Sequence, residues 1–450
     1  MSPALESLAR LALARARDAA PAWIERLREE AAVVAREQGL PSRRLEAWKG
    51  TSLAKLEALD FVRVGPGAEP ARPDAQPARA RATAETPDDA IELVFVDGRF
   101  EAFASRTTDL PEGVSVRSLA ELLVSEPEAL EGRLGTLAEP KGPSLVALQT
   151  SWLEDGAVVA IDRDVQLATP IRLRFLATAD AADAPSAAFP RLLVVAGRGS
   201  QATLFQDFAC EGDAPGLTNF VAELHIEAGA RLEAIELQRE TAPRVHVTQT
   251  HARLERDARL DSTVLSLGTG LVRSELSVAL AEPGAKTRMA GFFLGREDDH
   301  VDHYTTVDHA APHCTSVEEY RGVLDDHSKG VFRGRVIVRP GAQKTDAKQS
   351  NPNLLLSDRA TIDTKPQLEI YADDVKASHG STIGQLDAEA LFFLRARGID
   401  EARARLMLTR AFAHSVVDGV GEAAIREELR ERVDAALATT HGALDTEESV

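Results

Sequence analysis

Cysteine is almost missing from this chain: Cys210 and Cys314 are the only two in 450 residues. They lie far apart and neither belongs to a C-x-x-C pair, which excludes a disulfide framework, and two thiols cannot supply a four-thiolate metal cluster. Aromatic residues make up 5% of the sequence, too few for a surface built to stack sugars. No apolar run reaches the roughly 20 residues that cross a bilayer. The N-terminal LARLALARARDAAPAWIERLREE is an Arg-bearing amphipathic pattern without the apolar block of a signal peptide, so the expected location is the cytoplasm. A basic excess is also lacking. With 52 Lys and Arg against 71 Asp and Glu, the net charge of −19 repels phosphate backbones and anionic lipid, which argues against nucleic acid and membrane partners. There is no G-x-x-x-x-G-K-[ST] phosphate loop, since GAKT at Gly284 lacks the second glycine before lysine, and no dinucleotide fingerprint. ATP hydrolysis, if it serves this protein, must occur on another chain.

What is present divides into six stretches. Residues 1–63 form an N-terminal helical region, with Leu8, Leu11, Ala14, Trp23, Ile24, Leu27 and Val34 at helical spacing and Pro21 suited to the first turn of a second helix. A Pro-, Ala- and Arg-rich linker occupies 64–89. Residues 90–150 are mixed α/β: IELVFVDGRF reads as a hairpin turning at Asp97–Gly98, and SLAELLVSEPEALEGRL is helical. From 151 to 386 the texture becomes short Val-, Leu- and Ile-rich strands. Residues 387–438 are helical, with Asp387 and Asp400 as N-caps, Gly398 as a stop, and Ile425, Leu429, Val433 and Leu437 on one stripe. A disordered tail is expected over 439–450.

The strand-rich stretch carries a repeat. Small-residue turns recur in GRGSQAT, EAGARLE, ERDARLD, EPGAKTR and RPGAQKT, centred on Gly199, Gly229, Asp257, Gly284 and Gly341, at steps of about 28 residues with a last gap near twice that. Each coil of the solenoid that such a repeat implies stacks short strands on their neighbours and alternates inward apolar with outward polar residues, as in LHIEAGARLEAIELQ. The expected fold is therefore mainly β, a right-handed parallel β-helix flanked by N-terminal and C-terminal helical regions. A β-sandwich competes, but the regular turns and the lack of strong two-residue hairpin signals count against it.

The densest set of ligand-type side chains is His300, His303, His309, His313, Cys314 and His327, interleaved with Asp298, Asp299, Asp302, Asp308 and Asp325. Imidazole and carboxylate suit zinc or iron, so a metal-dependent hydrolase or a carbohydrate-active β-helix enzyme is one reading, with His303 and His309 as weak candidate ligands. Against it, HVDHY places His300 and His303 on opposite faces of an extended strand. The alternative is a ladder of His and Asp satisfying one another by hydrogen bonds. In YADDVKASHG, Val375, Ala377 and His379 share one face, the pattern of a buried core histidine.

The stretch Gly341–Asp387, with AQKTDAKQSN, the NLLLS strand, TKPQLEIYADDVK, SHG and the helix opening LDAEALFFLRARGI, resembles the SufB/SufD family of iron–sulfur cluster assembly proteins, in its SufD branch. HVDHYTTVDHAAPH, YRGVLDDHSKGVFRG and the N-terminal GLPSRRLEAWKGTSL extend the resemblance over most of the chain outside 64–89. It implies a non-catalytic scaffold that pairs with SufB through the ends of two β-helices and docks the ATPase SufC on its C-terminal helices. Arg403, Leu406, Arg410 and Phe412 are the candidate SufC-binding residues, although Leu406, Arg410 and Phe412 could equally pack the helix onto the solenoid. His379 matches the family histidine at the SufB contact, which makes it the candidate assembly-site residue and iron ligand beside a nascent, shared iron–sulfur cluster. The chain departs from many relatives at Ala377, where they carry cysteine. At Ala360 the SufB branch would present its own cysteine, so alanine there favours the SufD branch. Reduced flavin accompanies complexes of the family, and flavin binding is left open here. A homodimer of the isolated chain is the purely structural alternative.

Overall fold

In the computed structural model, which describes residues 2–13, 20–61, 90–107, 110–178, 184–212, 214–241 and 243–440, the chain winds into a parallel β-solenoid of two ten-stranded sheets. The linker expected within 64–89, Ala14 of the N-terminal pattern, and 441–450 of the expected tail lie outside those residues. Successive coils stack in parallel register: Arg231–Gln238 lies on Arg259–Ser266, which lies on Lys286–Gly295.

The coil corners explain the repeat. At one corner of each coil the backbone enters the left-handed region, at Asp164, Gly199, Gly229, Asp257, Gly284, His313 and Lys344, with φ between 55° and 80°. The N–H of each of these residues donates to a carbonyl of the next coil's corner: Gly199 to Ala228, Gly229 to Arg256, Asp257 to Pro283, Gly284 to Pro312, His313 to Gln343. From Gly199 onward the residue that follows is small and buried, giving a column of Ser200, Ala230, Ala258, Ala285, Cys314 and Thr345. This corrects the spacing read from sequence. The apparent double gap contains a corner at His313, and the corner after it is centred on Lys344, not Gly341. Non-glycine residues hold this conformation at a cost, which the neighbouring coil's hydrogen bonds offset. Cys314 is thus a rung of the corner column, its thiol pushed up in pKa by burial.

Within strands, period-2 alternation sorts the side chains. Leu232, Leu260, Leu204 and Phe208 fill the interior, while Phe205, Ile235, Leu237 and Phe292 face outward beneath the C-terminal helices. Those helices, Glu401–Val417 and Ala423–Thr440, bring Ile425, Leu429, Val433 and Leu437 into that outer layer, each fully buried. Asp387 and Asp400 cap as expected, accepting from Glu389 and Arg403 N–H groups, and Gly398 at φ 84° ends the first helix. The β1–β2-type hairpin of the sequence forms at Asp97–Gly98, antiparallel between Ile91–Val96 and Arg99–Phe100.

The other sheet is braced by the N-terminal segment. Trp48 lies on the guanidinium of Arg273, 4.0 Å from its ring centroid, and Arg273 donates to Ala47 O at 3.0 Å. Lys365 Nζ meets Glu46 Oε1 at 2.6 Å, Lys329 Nζ donates to Gly50 O at 2.7 Å, and Arg333 donates to Glu46 O. GLPSRRLEAWKGTSL therefore acts as a strap across four successive strands of one sheet.

Candidate functional site

The solenoid has an open end. Thr361–Ile370 pairs only with Lys329–Val338, and Lys376–Gly384 only with Asp346–Leu355, so among the described residues each is an unpaired sheet edge. Around this end stand Ile370, Tyr371, Ile383, Phe392 and Phe393, all exposed, with Phe392 at 74%. The helix Ala388–Arg395 buries none of its residues, and Arg397 sits 3.3 Å above the Phe393 ring. A bare pair of strand edges beside exposed apolar rings is a surface that soluble proteins normally cover.

His379 lies in this end. Its ladder partner is Gln349, whose own partner is Glu318, so the three share the inward column of the sheet. The histidine is nonetheless exposed, because no further coil stacks on it. The buried core histidine that the alternation suggested is thus corrected: the face was right and the burial was not. Ala377, half-buried, lies against Ala347, and Ala360 is buried at the corner before Thr361.

Behind His379 the interior is polar over several coils. Glu318 Oε2 accepts from Gln349 Nε2 at 2.6 Å and from Thr305 Oγ1 at 3.1 Å, and burial pushes its carboxyl up to about 7. Asn351 Oδ1 accepts from Thr364 at 2.8 Å and from Asn353 Nδ2 at 2.8 Å. Further in, Thr248 Oγ1 donates to Glu236 at 3.0 Å, and Glu240 meets His246 Nδ1 at 2.6 Å and Thr218 at 2.7 Å. Glycines make the room: a Cβ on Gly291 would fall on the Tyr320 ring, and one on Gly334 on the Gln349 amide. Glu318 and Gln349 escaped the sequence reading, although a charged or amide side chain at an inward strand position in TSVEEY and DAKQSN was the signal available.

The His-rich stretch does not converge on a metal. Among the described residues no group of three His, Cys, Asp or Glu side chains is placed to hold one. His303, the weak candidate ligand, points inward between Phe293 and Tyr320, bonds Ser266 Oγ at 3.1 Å, and is pulled by burial down to about 3. His309 bonds Ser316 Oγ at 2.9 Å and is pulled by burial down to about 4. His300 faces the other way and meets Thr51 of the strap at 2.9 Å, where burial and then Lys329 and Arg273 lower it to about 4. His313 is a corner residue. His303 and His309 share the inward face but stand six residues apart along the strand, each hydrogen-bonded to a serine, and His300 is on the opposite face, so the candidate ligands His303 and His309 are corrected to structural groups.

On the C-terminal helices, Leu406 is buried in the layer over the solenoid and Phe412 lies under the Arg321 guanidinium at 4.9 Å. Leu406 is thereby withdrawn from the surface, while Phe412 is half-buried and packs against the same layer. Arg410 is half-buried and paired with Asp434 at 3.2 Å. Arg403 is exposed, and on the same helix Met407 and Ala411 are exposed as well.

A parallel solenoid with an open end, capped by helices on one sheet and strapped on the other, defines the architecture, and comparison with known proteins supplies the class. Residues 175–412 match the family model "SUF system FeS cluster assembly, SufBD core domain" and residues 11–173 match "SufBD protein N-terminal region". The chain belongs to the SufBD family of the SUF iron–sulfur cluster assembly system. It is similar to an iron–sulfur cluster assembly SufBD family protein of Synechocystis sp., 32% identical over 403 residues, covering 88% of this chain and 87% of that one. It is similar also to the iron–sulfur cluster assembly protein SufD of Escherichia coli, 29% identical over 395 residues, covering 88% and 89%. No described helix is long and apolar enough to cross a membrane.

Proposed function

We propose that this chain is the SufD-type scaffold of a SUF complex: its open solenoid end pairs with SufB, its C-terminal helices dock the ATPase SufC, and a nascent iron–sulfur cluster forms at the SufB contact with His379 as an iron ligand. The observation that carries the reading is the open end itself, two unpaired strand edges and an apolar rim with an inward-column imidazole at its mouth. A second solenoid end would satisfy both edges and cover the rim. A neutral imidazole there offers iron a nitrogen, while the sulfur must come from SufB, since Ala377 and Ala360 supply no thiol. The chain itself acts without catalysis of its own, hydrolysing no ATP, and works in the cytoplasm. For SufC the free surface is Arg403 with Met407 and Ala411, on the side of the helix away from Leu406.

The test is co-expression with SufB and SufC, anaerobic purification, and iron, sulfide and absorbance analysis of wild type beside His379→Ala. Equal complex yield with collapsed cluster content supports the reading. Equal cluster content makes His379 structural, and a chain that only self-associates and captures neither partner overturns the scaffold assignment.

A further inference from the structure

The polar file behind His379 contains two buried side-chain oxygens without a hydrogen-bond partner, Glu318 Oε1 and Gln349 Oε1. Gln349 Nε2 is committed to Glu318 Oε2, which Thr305 also occupies from the opposite sheet. The amide oxygen of Gln349 is buried and has no hydrogen-bond partner, a condition that native interiors rarely tolerate without a reason. As placed, the amide gives its NH₂ group to Glu318 Oε2, which leaves its oxygen as the group open to a further partner. Space for the pair is reserved by Gly334 on the facing sheet, where a Cβ would fall on Gln349 Nε2 and lie 3.0 Å from Glu318 Oε2. The residue in register with Gln349 on the exposed side is His379.

We propose that Gln349 is the positioning residue for His379: its side-chain oxygen accepts one ring N–H of the imidazole and leaves the other ring nitrogen free to bind iron at the solenoid mouth. Glu318 and Thr305 act one step back, holding the amide with its oxygen toward the histidine. Which nitrogen of an imidazole is free to ligate is set by the hydrogen bond made by the other, and partners of this kind raise ligand basicity. The inference rests on His379 being the iron ligand only for its use; the proposed hydrogen bond, which this structure does not contain, involves this chain alone and is measurable without iron.

The experiment uses the full-length isolated chain labelled with ¹⁵N-histidine, the His379 signals being assigned by their loss in His379→Ala. In wild type one neutral tautomer should dominate. Gln349→Met, close in volume but without the acceptor, should move the tautomer ratio about threefold to tenfold, the range of one ordinary hydrogen bond. Glu318→Met, which removes the oxygen that holds the amide, should move it in the same direction by less. Coordinated loss of iron from the SufB and SufC complex of Gln349→Met supports the role. A ratio unchanged within about twofold in Gln349→Met overturns the inference whatever the iron content. Should Gln349→Met lose the folded circular dichroism signal, Glu318→Met decides, and an unmoved ratio there overturns it equally. If the ratio moves but His379→Ala retains full iron, the positioning stands and the ligand reading of His379 falls.

Discussion

Replacing Glu318 with glutamine should make this protein more resistant to unfolding at pH 8 than at pH 5, relative to wild type. The carboxyl is buried among Thr305, Gln349 and Tyr320 with no cation in contact, and burial raises it from 4.5 to about 7. Between those values the folded chain holds a proton that the unfolded chain has released. Stability therefore falls as pH rises through the window, and the loss levels off above pH 7. A displacement of this size corresponds to roughly 3 kcal/mol, of which most, about 2–3 kcal/mol, develops between pH 5 and pH 8. Glutamine carries no such dependence, so the difference between variant and wild type should grow by that amount across the range. Urea unfolding followed by circular dichroism at pH 5, 6, 7 and 8 measures it through the midpoint at constant slope. A difference that stays flat with pH would mean that Glu318 is ionised in the fold at little cost, and the dry interior inferred around it would be wrong.

Trp48→Ala should cost about 3–5 kcal/mol in the attachment of the strap, since the indole is 5% exposed and stacked on Arg273, and hydrogen exchange should rise along Leu271–Leu280 and His300–His309 while the opposite sheet stays protected. Gly291→Ala should destabilise by about 1–3 kcal/mol through collision with the Tyr320 ring, visible as a lower melting temperature, and Tyr320→Leu should relieve part of the loss. Arg403→Glu combined with Met407→Asp should leave the melting temperature within a degree or two and reduce retention of SufC on an affinity resin about tenfold or more. Full retention by a folded double variant would remove that face from the docking surface.

The fold was legible in this sequence because a solenoid repeats one corner. GRGSQAT, EAGARLE, ERDARLD and EPGAKTR announce four corners through glycine or aspartate, residues that adopt positive φ readily. The next two were hidden because His313 and Lys344 take the same conformation without the usual residue type, held by the adjacent coils. APHCTS was read for its metal-ligand chemistry and not for its geometry, though the small residue after the corner, Cys314, was in step with Ala285 before it. The face of His379 followed from alternation, but its exposure did not. Burial of an inward side chain depends on whether a coil follows, and nothing in YADDVKASHG says that it is the last. Leu406 and Phe412 were ambiguous for a related reason: helical spacing gives a face, and only the sheet beneath decides which face is covered.

The bracing of the two sheets gives the molecule an uneven stiffness. The strap ties one sheet as far as Lys365, and the C-terminal helices clamp the other from Phe205 to Val323, but the strand Lys376–Gly384 carries no such reinforcement on its outer face. His379 is mounted on that unreinforced rung, exposed and with one neighbouring strand, so among the described strands Asp346–Leu355 alone sets its aim.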